Sequence, residues 1–174
     1  TLSTFRSEDG KMFLLLSDGM GCGEDARRES AMTVRLLEQF LKAGIEPSTA
    51  LKTLNSALTL HTDESGSFTT IDLLAMTPET GSVSFYKYGA APSYIRHGKS
   101  VRRVTGSVLP AGLSGSDRIP DATTVHLSAG DIVLLISDGF ADSGDDAWLE
   151  TLLSQWEGTD IHSLTSALMD ESLR

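Results

Sequence analysis

The chain has 174 residues, a length that fits one domain and lets a globular fold bury roughly 70% of its unfolded surface. Its net charge of −10 argues against non-specific binding to nucleic acid, because an acidic chain repels phosphates. The single cysteine, Cys22, excludes an internal disulfide, and no apolar run approaches the roughly 20 residues that a membrane-spanning helix requires. The chain begins at Thr1 rather than at a methionine, and we expect a single domain over residues 1–174 that is truncated at both ends.

Two helices are predicted after a first buried strand. Lys11–Ser17 carries an apolar run typical of a strand that is buried on both faces. A glycine-containing turn follows, and apolar residues at helical spacing predict a helix over Glu24–Ala43, with Gly44 as its stop. A second amphipathic helix is predicted over Pro47–Leu60, with proline in its first turn. Its apolar stripe is predicted to consist of Ala50, Leu51, Leu54 and Leu58. Together the two helices form a predicted helical hairpin.

The rest of the chain is predicted to consist mainly of strands, because helical spacing gives way to alternation after Gly66. Two predicted β-hairpins pair Tyr94–Arg96 with Val101–Val104, and Thr123–Leu127 with Ile132–Ser137. Strands joined by tight turns predict antiparallel pairing, and helices at both ends of the chain make the fold class α+β. The remaining predicted segments are the strands Phe68–Met76 and Val83–Lys87 and the helices Asp145–Glu157 and Ile161–Leu173.

The sequence Ser-Asp-Gly ends two apolar strands, first at Asp18 and Gly19 and again at Asp138 and Gly139. Two carboxylates brought together at strand ends repel each other, and they need protons or hard cations to neutralise them. Mg²⁺ and Mn²⁺ prefer such oxygen ligands, and a pair of these ions can lower the pKa of a water molecule and clamp a phosphoryl group. The alternative is that each Asp-Gly step is only a turn after a strand. The residues alone leave both interpretations open.

Five motifs in a fixed order point to a protein family. They read LLLSDGMGCGEDARRES, FTTIDLLAM, YKYGAAPSYIRHG, VLPAGL and LLISDGFAD. In this order they resemble the stage II sporulation protein E family, a bacterial branch of the metal-dependent, type 2C-like serine/threonine protein phosphatases. The resemblance implies an α+β fold in which two packed antiparallel β-sheets are flanked by helices on the outer faces, an α-β-β-α sandwich.

The resemblance also implies roles for individual residues. Asp18 matches the aspartate that bridges two metal ions, Gly19 the glycine whose carbonyl binds one of them, and Asp138 a ligand of the other ion. The implied cofactor is Mn²⁺ or Mg²⁺, and the implied catalytic residues are Asp18 and Asp138. The implied reaction is hydrolysis of phosphoserine or phosphothreonine by a metal-activated water, on a regulatory phosphoprotein of the anti-sigma-factor-antagonist type. The predicted helical hairpin matches helices that family members use as a regulatory switch, and Gly21 and Gly23 before it are either a hinge or a simple turn.

Two parts of the family pattern are missing from this chain. The family's Gly-Asp step would fall just before Thr1, and nothing after Asp170 matches its last, Asp-Asp-x-Thr-like strand. The two-metal site is therefore expected to be incomplete here, and a catalytically silent phosphatase-like domain that binds a regulatory partner is the alternative function. The domain is expected in the cytoplasm without membrane contact, although family members often follow a membrane region. Homodimer formation is left open.

Charged residues other than the two Ser-Asp-Gly aspartates receive simpler interpretations. Asp72 matches a family position that is expected to be structural. Lys87, Arg96, Arg102 and Arg103 lie on predicted hairpins, where charges usually form a solvated face and only sometimes meet a phosphoprotein substrate.

Overall fold

The structure is a computed structural model, and it describes residues 1–19, 23–65, 68–113, 118–140 and 146–173, with residues 61–65 described by their backbone alone. The elements in these ranges are, in chain order, β1 (Leu2–Arg6), β2 (Met12–Gly19), α1 (Glu24–Lys42), α2 (Pro47–Ser65), β3 (Thr69–Thr77), β4 (Ser82–Tyr88), β5 (Ser93–His97), β6 (Ser100–Val104), β7 (Thr123–His126), β8 (Ile132–Leu135), α3 (Ala147–Gln155) and α4 (Ile161–Ser172).

The chain divides into two compact units. One consists of Thr1–Ala90 and Thr105–Leu127, and the other of Ala91–Val104 and Ser128–Arg174. Each unit has its own sheet and its own apolar core. The expectation of a single phosphatase domain over residues 1–174 stays a prediction.

The first unit is built on a five-stranded antiparallel sheet in the order β1-β2-β3-β4-β7. Side chains of β2 alternate between the two faces, and its buried positions are Phe13, Leu15 and Ser17. Helices α1 and α2 pack their apolar faces on this side of the sheet. The stripe predicted for α2 is confirmed, since each of its members is buried and burying a leucine contributes roughly 1.5–3 kcal/mol. Its members are Ala50, Leu51, Leu54 and Leu58.

The second unit contains a three-stranded antiparallel sheet in the order β6-β5-β8. Helices α3 and α4 share an apolar core with this sheet. The buried residues of α3 are Leu149 and Leu153, which lie one helical turn apart. The helix α4 begins after Asp160, whose carboxylate accepts hydrogen bonds from the backbone N–H groups of His162 and Ser163. The predicted hairpin in this unit is confirmed as β5 paired with β6.

The other predicted hairpin is wrong. Strand β7 pairs with β4 in the first unit, and β8 pairs with β5 in the second. The turn between β7 and β8 is real, since the carboxylate of Asp131 accepts a hydrogen bond from Ser128 N–H at 2.8 Å. That turn leads the chain from one sheet to the other instead of folding one strand back on its neighbour.

Strand β1 is absent from the sequence prediction. Its five residues alternate only between exposed and half-buried positions, so they carry little apolar signal. Backbone pairing with β2, from Leu2 opposite Leu16 to Arg6 opposite Met12, defines the strand instead.

The predicted fold class is confirmed. Two antiparallel sheets, of five and three strands, are combined with two helices between β2 and β3 and two helices after β8. Within the described residues, none of the helices is both long and apolar enough to span a membrane.

Candidate metal centre

Asp18 lies near the end of β2, half-buried, and lines an open cleft of about 900 Å³ in the first unit. The sheet register places Asp18 opposite Thr70 and Gly19 opposite Thr69. Side chains of directly opposed residues share one face of an antiparallel sheet, so Asp18 and Thr70 lie on the same face. The residues that line the cleft are Thr1, Asp18, Gly19, Gly23, Glu24, Ala26, Arg27, Arg28, Ser30 and Ala31.

Threonine hydroxyls hold the backbone of Asp18. Its N–H donates to Thr70 Oγ1 at 3.0 Å, and its carbonyl accepts from Thr69 Oγ1 at 2.8 Å. Thr69 is fully buried and Thr70 nearly so. The strand end that carries the carboxylate is therefore tied to β3 by side chains, and its position is well defined.

Gly19 is a glycine because the first turn of α1 passes directly over it. A Cβ atom at this position would lie 2.1 Å from the carbonyl oxygen of Ala26, far inside van der Waals contact. Gly23, which precedes α1, adopts φ 102° and ψ −159°, a conformation that side chains disfavour. The turn interpretation accounts for Gly23. Gly21 lies outside the described residues, and the hinge stays a prediction.

The substitution Gly19→Ala is expected to destabilise the protein by roughly 1–3 kcal/mol, because the first turn of α1 must move to admit the methyl group. Gly139→Ala is the matched control from the second Ser-Asp-Gly sequence. No described atom lies within 4 Å of a Cβ atom there, and the φ of Gly139 is not positive. Urea unfolding of both variants measures the difference. Equal midpoints would contradict the close approach of Ala26 to Gly19.

Asp138 belongs to the second unit. Strand β8 ends at Leu135, before the predicted end at Ser137, and Asp138 lies exposed in the turn that follows. This turn is closed by a hydrogen bond of 3.0 Å from Phe140 N–H to the carbonyl of Ser137. Asp18 and Asp138 lie in different units, and their meeting at one metal site stays a prediction.

The oxygens at the end of β2 fit a hard divalent cation in kind. The Asp18 carboxylate and the Gly19 carbonyl border one cleft, and both are ligand types that Mg²⁺ and Mn²⁺ prefer. They are few in number. Among the described residues, no group of three or more His, Cys, Asp or Glu side chains is arranged to hold a metal ion. The described residues at the end of β2 therefore offer ligand types that suit a hard cation, and the metal site itself stays a prediction.

Two arginines in the same cleft are not singled out by the sequence patterns. Arg27 and Arg28, in the first turns of α1, line the cleft with Asp18 and are exposed. Neither forms an ion pair with another described residue. The signal in the sequence is the Arg-Arg pair near the start of the helix that follows the first Ser-Asp-Gly. Two guanidinium groups beside a candidate metal ligand favour a phosphate group as the occupant of the cleft.

Lys87 is not on a solvated face, and the expectation for this residue is wrong. Its side chain is 2% exposed, and its Nζ lies 2.6 Å from Oδ2 of Asp72, which is 1% exposed. The register of β3 and β4 places the two residues directly opposite each other. Burial lowers the pKa of Lys87, and the Asp72 carboxylate offsets part of that effect. Asp72, for which a structural role is expected, thus has Lys87 as its ion-pair partner.

The three arginines of the hairpin in the second unit are expected to face solvent or, less often, a phosphoprotein substrate, and they differ in outcome. Arg102 is exposed, as expected of a solvated face. Arg103 Nε pairs with Asp146 Oδ2 at 2.9 Å, and Arg96 donates a hydrogen bond to the carbonyl of Trp156. Two of the three therefore hold the sheet to the α3 segment, and they are not free for a substrate.

The chain is similar in sequence to a family of sporulation proteins. The sequence model of the family described as Stage II sporulation protein E (SpoIIE) matches residues 8–174. Stage II sporulation protein E from Priestia megaterium is 33% identical over 170 residues, which are 95% of this chain and 29% of that protein. The protein of the same name from Bacillus subtilis (strain 168) is 34% identical over 164 residues, which are 91% of this chain and 20% of that protein. The chain thus spans less than a third of the length of either relative.

Solved phosphatase structures match the chain along its length. One contains the PP2C phosphatase domain and a fragment of the regulatory domain of the cell fate determinant SpoIIE from Bacillus subtilis. It matches with a TM-score of 0.87 and 31% identity, and the match covers 100% of this chain and 52% of that one. A serine/threonine phosphatase from S. agalactiae matches with a TM-score of 0.80 at 18% identity, covering 99% of this chain and 85% of that one. At such low identity the second likeness shows the fold alone.

Proposed function

Because this chain belongs to the stage II sporulation protein E family, we propose that it is a metal-dependent protein serine/threonine phosphatase of the PP2C type. The observation that carries the proposal is the set of groups that line the cleft at the end of β2. There a carboxylate, a backbone carbonyl and two arginines share one cleft, and these are the group types that a phosphate ester and a hard cation require.

Asp18, Gly19 and Asp138 are proposed to hold Mn²⁺ or Mg²⁺. When bound, such an ion lowers the pKa of water and supplies a nucleophile at neutral pH. The protein's own residues position the reactants. Thr69 and Thr70 hold the backbone of Asp18, while the arginines of the cleft attract the phosphate group and neutralise part of its charge.

The pairing of β1 with β2 supports a further ligand near Asp18. Thr1 and Ser17 are joined by two backbone hydrogen bonds, from Thr1 N to Ser17 O at 2.6 Å and from Ser17 N to Thr1 O at 2.9 Å. In a parent protein, a residue immediately before Thr1 would continue this register and lie opposite Asp18. The family's Gly-Asp step is expected at that place.

The proposed substrate is phosphoserine or phosphothreonine on a small regulatory phosphoprotein of the anti-sigma-factor-antagonist type. This part of the proposal comes from the family alone. A net charge of −10 makes a nucleic-acid partner unfavourable and leaves a protein partner as the expected one.

The proposal is tested by incubating the full-length gene product with a phosphoserine peptide and measuring released inorganic phosphate. We expect hydrolysis that requires Mn²⁺ or Mg²⁺ and stops when a chelator is added. A phosphotyrosine peptide of the same sequence is the control for substrate class, and we expect it to react more slowly. No hydrolysis with either ion, from a folded protein, would contradict the phosphatase proposal and favour a catalytically silent module that binds a partner.

A further inference from the structure

We infer that Thr69 is a positioning residue for the metal centre, and that its hydroxyl works together with the serine of the first Ser-Asp-Gly sequence. The inference rests on the proposed function, because it assumes that Asp18 and Gly19 bind a metal ion. It assigns a task to Ser17, which has no role in the proposed function, and it extends the role of Thr69 in the FTTIDLLAM motif.

The distances around Thr69 Oγ1 favour one direction for its hydrogen bonds. Thr69 Oγ1 donates to the carbonyl oxygen of Asp18 at 2.8 Å, and a hydroxyl has only one hydrogen to donate. Ser17 Oγ lies 2.9 Å from Thr69 Oγ1, and both residues are fully buried. The Asp18 carbonyl is the nearest acceptor of Thr69 Oγ1, and with the Thr69 hydrogen directed there Ser17 is the donor to Thr69. Thr70 Oγ1 lies farther from the same carbonyl, at 3.3 Å. The two hydroxyls form an ordered relay that ends on the peptide group between Asp18 and Gly19.

This peptide group determines where the proposed ligands point. A peptide bond is planar, so a hydrogen bond to the Asp18 carbonyl orients the Gly19 nitrogen in the same plane. Thr70 supports the same residue, because its Oγ1 accepts a hydrogen bond from Asp18 N–H at 3.0 Å. The Asp18 side chain and the Gly19 carbonyl are attached to the two Cα atoms that flank this planar group. A rotation of that plane would displace both proposed ligands at once.

The backbone of Thr69 is fixed by the VLPAGL motif. Thr69 N–H donates to the carbonyl of Ala111 at 3.1 Å, and Ala111 N–H donates to the carbonyl of Thr69 at 2.9 Å. The next residue, Gly112, donates its N–H to Oδ1 of Asn55 in α2 at 3.0 Å, in a buried contact. A continuous set of hydrogen bonds thus runs from α2 through Ala111 and Thr69 to Asp18.

The experiment compares two fully buried threonines whose hydroxyls differ in what they bind. Thr69→Val removes the relay and keeps the shape of the side chain, whereas Thr69→Ser keeps the hydroxyl. Thr33→Val is the matched control, because Thr33 is fully buried in α1 and its Oγ1 has no hydrogen-bond partner among the described residues. The full-length gene product is titrated with Mn²⁺ alone by calorimetry. Thermal unfolding, and kcat and KM for a phosphoserine peptide, are measured on the same samples.

We expect Thr69→Val to weaken Mn²⁺ binding and to lower kcat by about 10- to 100-fold, the range seen when a group that orients a metal ligand is lost. KM for the peptide should change little. Thr69→Ser should keep most of the wild-type Mn²⁺ affinity and kcat, and Thr33→Val should match the wild type in both. If Thr69→Val does not fold, Ser17→Ala takes its place, with a smaller loss in the same direction.

Several outcomes would overturn the inference. Thr69→Val could bind Mn²⁺ as tightly as Thr33→Val, Thr69→Ser could be as impaired as Thr69→Val, or the wild type could bind no Mn²⁺. If the wild type binds Mn²⁺ but does not hydrolyse phosphopeptide, the proposed function fails, while the binding comparison still decides the role of Thr69.

Discussion

Replacing Asp18 with asparagine is expected to lower phosphatase turnover by at least about 100-fold, while the fold stays nearly intact. Loss of a group that merely orients a metal ligand lowers affinity or activity by about 10- to 100-fold, so loss of the ligand's charge should do at least as much. The side chain is half-buried beside an open cleft, and the hydrogen bonds from Thr69 and Thr70 go to the backbone of Asp18, which asparagine keeps. Released phosphate, measured with saturating Mn²⁺, and circular dichroism are the two measurements.

The control for this substitution is Asp121→Asn. Asp121 is an exposed aspartate of the first unit, and it does not line the cleft. We expect its variant to hydrolyse the phosphopeptide at the wild-type rate. Wild-type turnover in Asp18→Asn would show that Asp18 is not a metal ligand in the catalytic state.

Replacing Lys87 with methionine is expected to lower the free energy of unfolding by about 3–5 kcal/mol, the range for removing one partner of a buried ion pair. The pair between Lys87 and Asp72 is almost completely buried, and its Nζ–Oδ2 distance is 2.6 Å. Methionine fills much the same volume as lysine but removes the ammonium group that pairs with the Asp72 carboxylate. Urea unfolding at neutral pH measures the change.

Two controls test whether burial of the ion pair is the cause of the lost stability. Lys99→Met breaks an ion pair with Glu157 whose side chains are 79% and 81% exposed, and such pairs contribute about 1 kcal/mol or less. The double variant Asp72→Leu, Lys87→Met removes both charges, and we expect it to be more stable than Lys87→Met alone. A decrease in the free energy of unfolding below about 1 kcal/mol in Lys87→Met would contradict the prediction, because the buried pair would then contribute no more than an exposed ion pair.

The sequence determines the local elements and the family of this protein. The α2 stripe from Ala50 to Leu58 is buried as predicted, because helical periodicity is a property of neighbouring residues. The five motifs predict the family, and the match over residues 8–174 confirms it. The fold class follows from the same order of elements. Both Ser-Asp-Gly sequences are also visible in the sequence, since a motif needs only adjacent residues.

Strand partners are decided by the tertiary structure. The turn at Ser128–Asp131 is predictable from its residues, yet β7 pairs with β4 and β8 with β5. A short turn signal says that the chain changes direction, and it does not say which strand lies alongside. Strand β1 shows the same limit, because its pairing with β2 defines it more than its own residues do.

Burial of charge is likewise a tertiary property. Lys87 carries a charge on a predicted hairpin, where charges usually face solvent, and only the register with β3 brings Asp72 opposite it. The task of Ser17 is hidden for the same reason, since its partner Thr69 lies 52 residues away in the sequence. The sequence by itself identifies which residues carry carboxylates, hydroxyls and ammonium groups. Which of those groups meet depends on pairing between distant strands, and that pairing is set by the free energy of the whole packed sheet.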